Sequence, residues 1–133
     1  MNWIVWDNTL DTGHALIDSD HQELARLFNL LPDTAGMPRG KELCGKVLGQ
    51  IIAHARAHFE REQQLMAEHR YPKIAQHSAE HAMLLDQALN YQAEFDANAS
   101  EPDIALIDFP EVWLSFHILF SDKDLARFLA QTA

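Results

Sequence analysis

The chain has 133 residues, 47% of them hydrophobic, close to the commonest domain size and enough for one sizeable core. Its 20 acidic residues against 10 basic ones leave a net charge of −10, and the basic residues are scattered, which disfavours nucleic acid and anionic membranes as partners. The opening MNWIVWDNTLD has no basic stretch and no long apolar run, no later segment reaches eighteen uninterrupted apolar residues, and the one cysteine, Cys44, cannot pair internally; the expectation is a single domain over residues 1–133, cytoplasmic and not membrane-bound.

Behind an extended N-terminal arm, Ile17, His21, Leu24, Phe28 and Leu31 recur at threes and fours, which predicts a first helix starting at Asp18 to Asp20 and closed by Pro32. Asp33 to Gly40, with Pro38 and two glycines, reads as a connection. Leu43, Val47, Ile51, His54, His58, Glu62 and Leu65 trace one stripe of a second helix from about residue 40 to 69. Arg70, Tyr71 and Pro72 make a short turn, and Ile74, His77, His81, Leu84, Ala88, Tyr91 and Phe95 give a third stripe ending at Asn98 to Ser100. A proline inside a helix removes a hydrogen bond and clashes, so the fourth helix is placed from near Pro110, with Trp113, Leu114, His117 and Phe120 on its inner face. A short C-terminal helix, Lys123 to Gln131, covers one end. The fold class expected is all-α, an antiparallel up-down-up-down four-helix bundle.

Seven potential metal ligands fall where such a bundle gathers them at one end: His21 early in the first helix, His58 and Glu62 late in the second, His77 and His81 early in the third, and His117 and Asp122 at the end of the fourth. His58 with Glu62 and His77 with His81 have i, i+4 spacing, which puts both side chains of each pair on one helix face. Asp122 is the awkward member, because five residues from His117 is about 140° around a regular α-helix, so the terminus there must be re-angled. Five histidines on core stripes at one level would bury nitrogens at a cost of roughly 1 to 3 kcal/mol each unless something satisfies them. Imidazoles and carboxylates without thiolates suit iron, zinc, copper or nickel; seven donors are too many for one tetrahedral zinc and fit two metals with bridging carboxylates. Iron is the choice.

The strings WDNTLDTGHALIDSDHQEL, HFEREQQLM, YPKIAQHSAEH and WLSFHILFSDKDL resemble the four ligand-bearing segments of the hemerythrins, above all the single-domain bacterial hemerythrins, over nearly the whole chain. The resemblance implies a non-haem centre of two iron ions with an oxo or hydroxo bridge. His77, His81 and His117 would fill one iron, His21 and His58 would hold the second, which keeps an open position, and Glu62 and Asp122 would bridge them. It also implies reversible O₂ binding, end-on as hydroperoxide at the five-coordinate iron, with azide or nitric oxide as other small ligands. Two ferrous ions with two carboxylates and a hydroxide carry the same net charge as two ferric ions with two carboxylates, an oxide and a hydroperoxide, and constancy of charge favours reversibility in a low-dielectric pocket. Trp113, Leu114 and Ile118 would form the apolar wall of the O₂ pocket. Two departures from the family pattern touch no ligand: Gln63 stands where an acidic residue often follows the bridging glutamate, and His14 where an aliphatic residue is common. His54 is read as a satisfied core or boundary histidine, and His69 as a helix-terminal surface residue.

The first functional expectation is therefore an O₂-binding protein for storage, delivery or buffering, and not an enzyme. The alternatives are an O₂ or redox sensor acting through a partner protein, or a diiron oxidase, peroxidase or nitric-oxide scavenger. No nucleophile, phosphate loop or acid/base pair in the sequence supports the last.

Overall fold

A computed structural model of the chain describes residues 10–34, 37–97 and 117–131. Three long helices, α1 (Ala15–Thr34), α2 (Gly40–Glu68) and α3 (Ile74–Ala97), are followed by a π-helical turn over His117–Asp122 and a short helix, α4 (Lys123–Gln131); no strand occurs among the described residues. The molecule is the all-α helical bundle that the periodicity predicts. Neighbours run antiparallel: α2 meets α3 with Gly45 against Phe95 at one end and Glu62 against His77 at the other. Similarly, Asp20 near the start of α1 meets Arg61 near the end of α2. Residues 10–14 of the N-terminal arm are non-helical; its first nine residues, and the predicted fourth helix from Pro110 to residue 116, lie outside the described residues.

The first helix departs from expectation at both ends. It starts at Ala15 because Asp18 is not a cap at the helix start but a first-turn carboxylate folded back over the arm, accepting from the Thr12 N–H at 2.8 Å, the Thr12 hydroxyl at 2.7 Å and the Gly13 N–H at 3.2 Å. His14, at the cap position, accepts the Ile17 N–H through Nδ1 at 3.4 Å, which is what this chain makes of its unusual histidine there. Pro32 does not close the helix, which runs on to Thr34, whose hydroxyl donates to the Leu31 carbonyl at 2.7 Å. A proline in the last turn forfeits one hydrogen bond but has little helix left to break. A Cβ on Gly40 would collide with the Thr34 carbonyl oxygen, so glycine permits the tight approach that joins α1 to α2.

The second helix ends in a Schellman motif. Arg70 takes the left-handed conformation (φ 53°), its N–H donates to the Ala67 carbonyl at 3.4 Å, and the Tyr71 N–H reaches back to the Met66 carbonyl at 2.9 Å. The motif's apolar contact, Tyr71 on Met66, is also present. A left-handed non-glycine costs roughly 1 to 2 kcal/mol. Arg70→Gly is therefore expected to raise unfolding stability by about 1 kcal/mol once glycine's greater freedom in the unfolded chain is subtracted, measurable by urea denaturation.

Two apolar clusters form. The larger joins Leu24, Phe28 and Leu31 of α1 to Leu48, Ile51 and Ala55 of α2 and Leu84, Ala88 and Phe95 of α3. The smaller joins Ile17, Met66 and Tyr71 to Leu125 and Leu129 of α4. The predicted stripes of α1 and α3 face these clusters. On α2 the predicted stripe lies along one edge of the buried face: its Ile51, His58 and Glu62 are buried, as are Cys44, Leu48, Ile52, Ala55, Phe59 and Met66 beside it, whereas Leu43 is 38% exposed. Alanine and cysteine carry little hydrophobic signal, and they hold the centre of that face.

Candidate metal centre

Between the two clusters lies a polar layer. His21 sits one turn after Ile17 and before Leu24, Glu62 between Phe59 and Met66, and Asp122 one turn before Leu125, so apolar residues of the same helices seal the layer above and below. All seven residues singled out from the sequence are there, and all are buried, Asp122 completely. They form two groups that share both carboxylates: Glu62, His77, His81, His117 and Asp122 on one side, His21, His58, Glu62 and Asp122 on the other.

The carboxylates divide their oxygens between the sides. Oε1 of Glu62 faces Nε2 of His77 at 3.0 Å and of His81 at 2.9 Å, while Oε2 faces Nε2 of His58 at 3.2 Å. Oδ1 of Asp122 faces Nε2 of His77 and of His117, each at 3.1 Å, while Oδ2 faces Nε2 of His21 at 2.6 Å and of His58 at 3.9 Å. The awkward spacing of Asp122 is resolved by the π turn, whose i→i+5 hydrogen bonds widen the helix so that residues five apart, His117 and Asp122, share a face. The same widening corrects the placement of Phe120 on the inner face: it is 63% exposed.

Sequence reasoning missed the residues behind the ring. Asp20 Oδ2 accepts from Nδ1 of His58 at 2.9 Å, and both Asp20 oxygens are held by the Arg61 guanidinium at 2.8 and 2.7 Å. Glu80 Oε1 accepts from Nδ1 of His117 at 2.6 Å and its Oε2 from the Ser121 hydroxyl, also at 2.6 Å. Because a carboxylate can only accept, each fixes its histidine with the proton on Nδ1 and the Nε2 lone pair turned inward. The available signal was adjacency: Asp20, Arg61, Glu80 and Ser121 each directly precede one of the seven. Tyr71, read as a turn residue, is buried with its ring 6.3 Å from that of His77, and Phe59 stacks on His81 at 4.1 Å. His54 donates through Nε2 to the Asp20 carbonyl at 3.0 Å, an ordinary tie between α1 and α2, and Gln63 accepts the Ser78 hydroxyl at 2.6 Å. His69 caps the end of α2.

Without a metal the layer gathers protons. Burial opposes charge on His58, His117 and His77, but facing carboxylates outweigh it: Asp122, Asp20 and Glu62 push His58 up to about 11, Asp122, Glu80 and Glu62 push His117 up to about 10, and Asp122 and Glu62 push His77 up to about 9. His81 goes the other way, lowered by burial and by the charge on His117. Against burial and their mutual repulsion, the histidines hold Glu62 and Asp122 well below the usual carboxylate range. For a histidine raised in the folded state, the stabilisation is complete below its unfolded value near 6.5 and is lost as pH rises toward the folded value. The metal-free protein is therefore expected to lose thermal stability progressively from about pH 6.5 to pH 9 and beyond. Metal must displace those protons, so the metal-loaded protein is expected to gain relative to the metal-free form over the same range; paired melting curves with ferrous iron and with chelator check this.

The layer suits metal cations better than protons. Both oxygens of Asp122, Oε2 of Glu62 and Nε2 of His58 are buried with no aligned hydrogen bond, although donors and acceptors crowd within a few ångströms. The Nε2 atoms of His81 and His117 lie 3.2 Å apart, both aimed at the same space. Lone pairs converging on common points, three imidazoles to one side and two to the other, fit cations placed between them. Of the residues expected to wall an O₂ pocket, Trp113 and Leu114 lie outside the described residues, as does the side chain of Ile118.

A helical bundle that gathers five histidines and two shared carboxylates in its interior has a cluster suited to holding metal, of the histidine-rich kind. The family model described as the hemerythrin HHE cation binding domain matches residues 12–129. The chain belongs to the hemerythrin family. It is 28% identical to a bacteriohemerythrin of Stenotrophomonas maltophilia, over 95% of this chain and 81% of that protein, and 28% identical to one of Pseudomonas paraeruginosa, over 92% and 78%. The fold superposes on a wild-type hemerythrin crystal structure with a TM-score of 0.87 at 28% identity, covering 97% of this chain and 99% of that one. Among the described residues, no helix is long and apolar enough to cross a membrane.

Proposed function

We propose that the protein binds O₂ reversibly at a diiron centre, with His77, His81 and His117 holding one iron, His21 and His58 the other, and Glu62 and Asp122 bridging. The observation that carries this reading is the division of each carboxylate, one oxygen toward each histidine group. The smaller group leaves its metal one histidine short of the larger, which is where a small ligand has room to bind. A bound iron pair would supply the electrons that O₂ binding draws on. The chain's own part is to hold five neutral imidazoles by orientation, to fix the bridges, and to keep water out. Ile17, Met66, Tyr71 and Leu125 close the layer from the α4 end, and Trp113, Leu114 and Ile118 are proposed to line the gas pocket. Family membership and the fully buried, acid-poor ligand set both support binding over turnover.

The test is iron analysis of the reconstituted protein followed by stopped-flow mixing of its reduced form with O₂. A stable oxy spectrum that reverses on removing the gas is expected. Immediate decay to the diferric state with consumption of a co-substrate would replace the reading with an oxidase, peroxidase or nitric-oxide scavenger. An oxy form whose appearance changes binding to a partner protein would make the chain a sensor.

A further inference from the structure

Two braces stand behind the ring, built alike but charged differently. One step along an α-helix turns a side chain by about 100°, so a residue next to an inward ligand sits on the flank, in reach of the back of a ligand on the neighbouring element. Asp20, before His21, reaches His58, and Arg61, before Glu62, grips Asp20, tying α1 to α2. Glu80, before His81, reaches His117, and Ser121, before Asp122, grips Glu80, tying α3 to the π turn. The first brace ends in a bidentate guanidinium, which cancels the carboxylate's charge; the second ends in a neutral hydroxyl, which does not.

Resting on the diiron reading above, we propose that these braces make the two iron positions electronically unequal. A carboxylate accepting the outer N–H of a metal-bound imidazole raises its basicity and so favours the more highly charged metal. Glu80, gripped by a hydroxyl that leaves its charge in place, exerts the stronger pull, on His117, and favours ferric iron at the three-histidine position. Arg61 blunts the pull of Asp20 on His58 and leaves the two-histidine position, where a gas would bind, the more readily ferrous. Asp20, Arg61, Glu80 and Ser121 are thus positioning residues that set redox balance.

The test is a mediated redox titration of iron-loaded wild type, Glu80→Gln, Arg61→Met and Arg61→Lys, with iron content and melting temperature measured alongside. Glu80→Gln is expected to move the ferrous to ferric ratio at fixed potential about ten-fold toward ferrous, and Arg61→Met by a similar factor toward ferric, each equal to about 59 mV for a one-electron step. Arg61→Lys, which keeps the charge, should stay near wild type. Shifts of the same sign, or none in variants that retain iron, would overturn the proposal and leave the braces as mere structural ties. Should Arg61→Met lose iron, the double variant Asp20→Asn/Arg61→Met removes both charges together and is expected at the wild-type balance; a ten-fold displacement there would overturn the proposal too. Should Glu80→Gln lose iron, Ser121→Ala is expected to shift the balance toward ferric by removing a donor from Glu80, and a shift toward ferrous would count against it. A wild-type chain that takes up no iron would instead sink the diiron reading itself.

Discussion

Asp122→Ala is expected to cut the iron content of the reconstituted protein to less than about one tenth of wild type, more than the loss of any one histidine. Outer-shell partners of a metal ligand are typically worth 10- to 100-fold in affinity, and Asp122 stands in the inner ring, facing both groups. Its Oδ1 lies 3.1 Å from Nε2 of both His77 and His117, and its Oδ2 lies 2.6 Å from Nε2 of His21, so one truncation removes a donor from each side. The metal-free protein should suffer too. His117 is held above its ordinary range chiefly by Asp122, working against burial, and without that carboxylate its buried charge keeps only Glu80 on Nδ1 at 2.6 Å and the more distant Glu62. Breaking a buried charge pair by removing one partner costs about 3 to 5 kcal/mol. Asp122→Asn, which keeps the shape and drops the charge, should reproduce most of the iron loss, because an amide bridges cations poorly. Iron analysis and chemical denaturation of both variants check this. Full iron retention by Asp122→Ala would show that Asp122 is no bridge.

How much of this was legible beforehand depended on the kind of signal each residue carries. Ile17, Leu24, Phe28 and Leu31 repeat at helical spacing with large apolar side chains, and they are the buried face of α1. The buried face of α2 also includes Gly40, Cys44 and Ala55, whose small side chains say little, so the predicted stripe, which holds at Ile51, His58 and Glu62, ran off that face at Leu43. The seven ring residues were readable because histidines and carboxylates on core stripes, four of them paired at i, i+4 spacing, have few other uses. Asp122 could be placed only on the condition that the helix terminus be re-angled; the π turn meets that condition, though nothing in HILFSD announces that form of it. The braces stayed hidden for a different reason. Asp20, Arg61, Glu80 and Ser121 are polar residues on helix flanks, where polar residues are ordinary, and only the crossing of helices brings Asp20 to His58 or Glu80 to His117.

Leu125→Ala is expected to destabilise the protein by about 2 to 5 kcal/mol, the range for truncating a fully buried leucine. Leu125 is completely buried among Ile17, Met66 and Tyr71, and together with Leu129 it seats α4 on the end of the bundle. It also stands one turn beyond Asp122 on the same run of backbone, so the packing of α4 adds to the Glu80 tie in holding the π turn in register. Two effects then follow from one cavity. The free energy that seats α4 falls, and openings of this end become more frequent, since local unfolding draws on the least stable unit. Each opening lifts Asp122 from the ring and admits water to a layer whose charges are balanced only while water is excluded. Iron loss to a chelator should therefore quicken by at least about ten-fold, the factor that 1.4 kcal/mol of lost local stability would give. Truncating Met83, 53% exposed on α3, provides the control, because it leaves the buried packing of α4 intact. If Leu125→Ala unfolds more easily yet releases iron at the wild-type rate, then the ring holds Asp122 without help from α4.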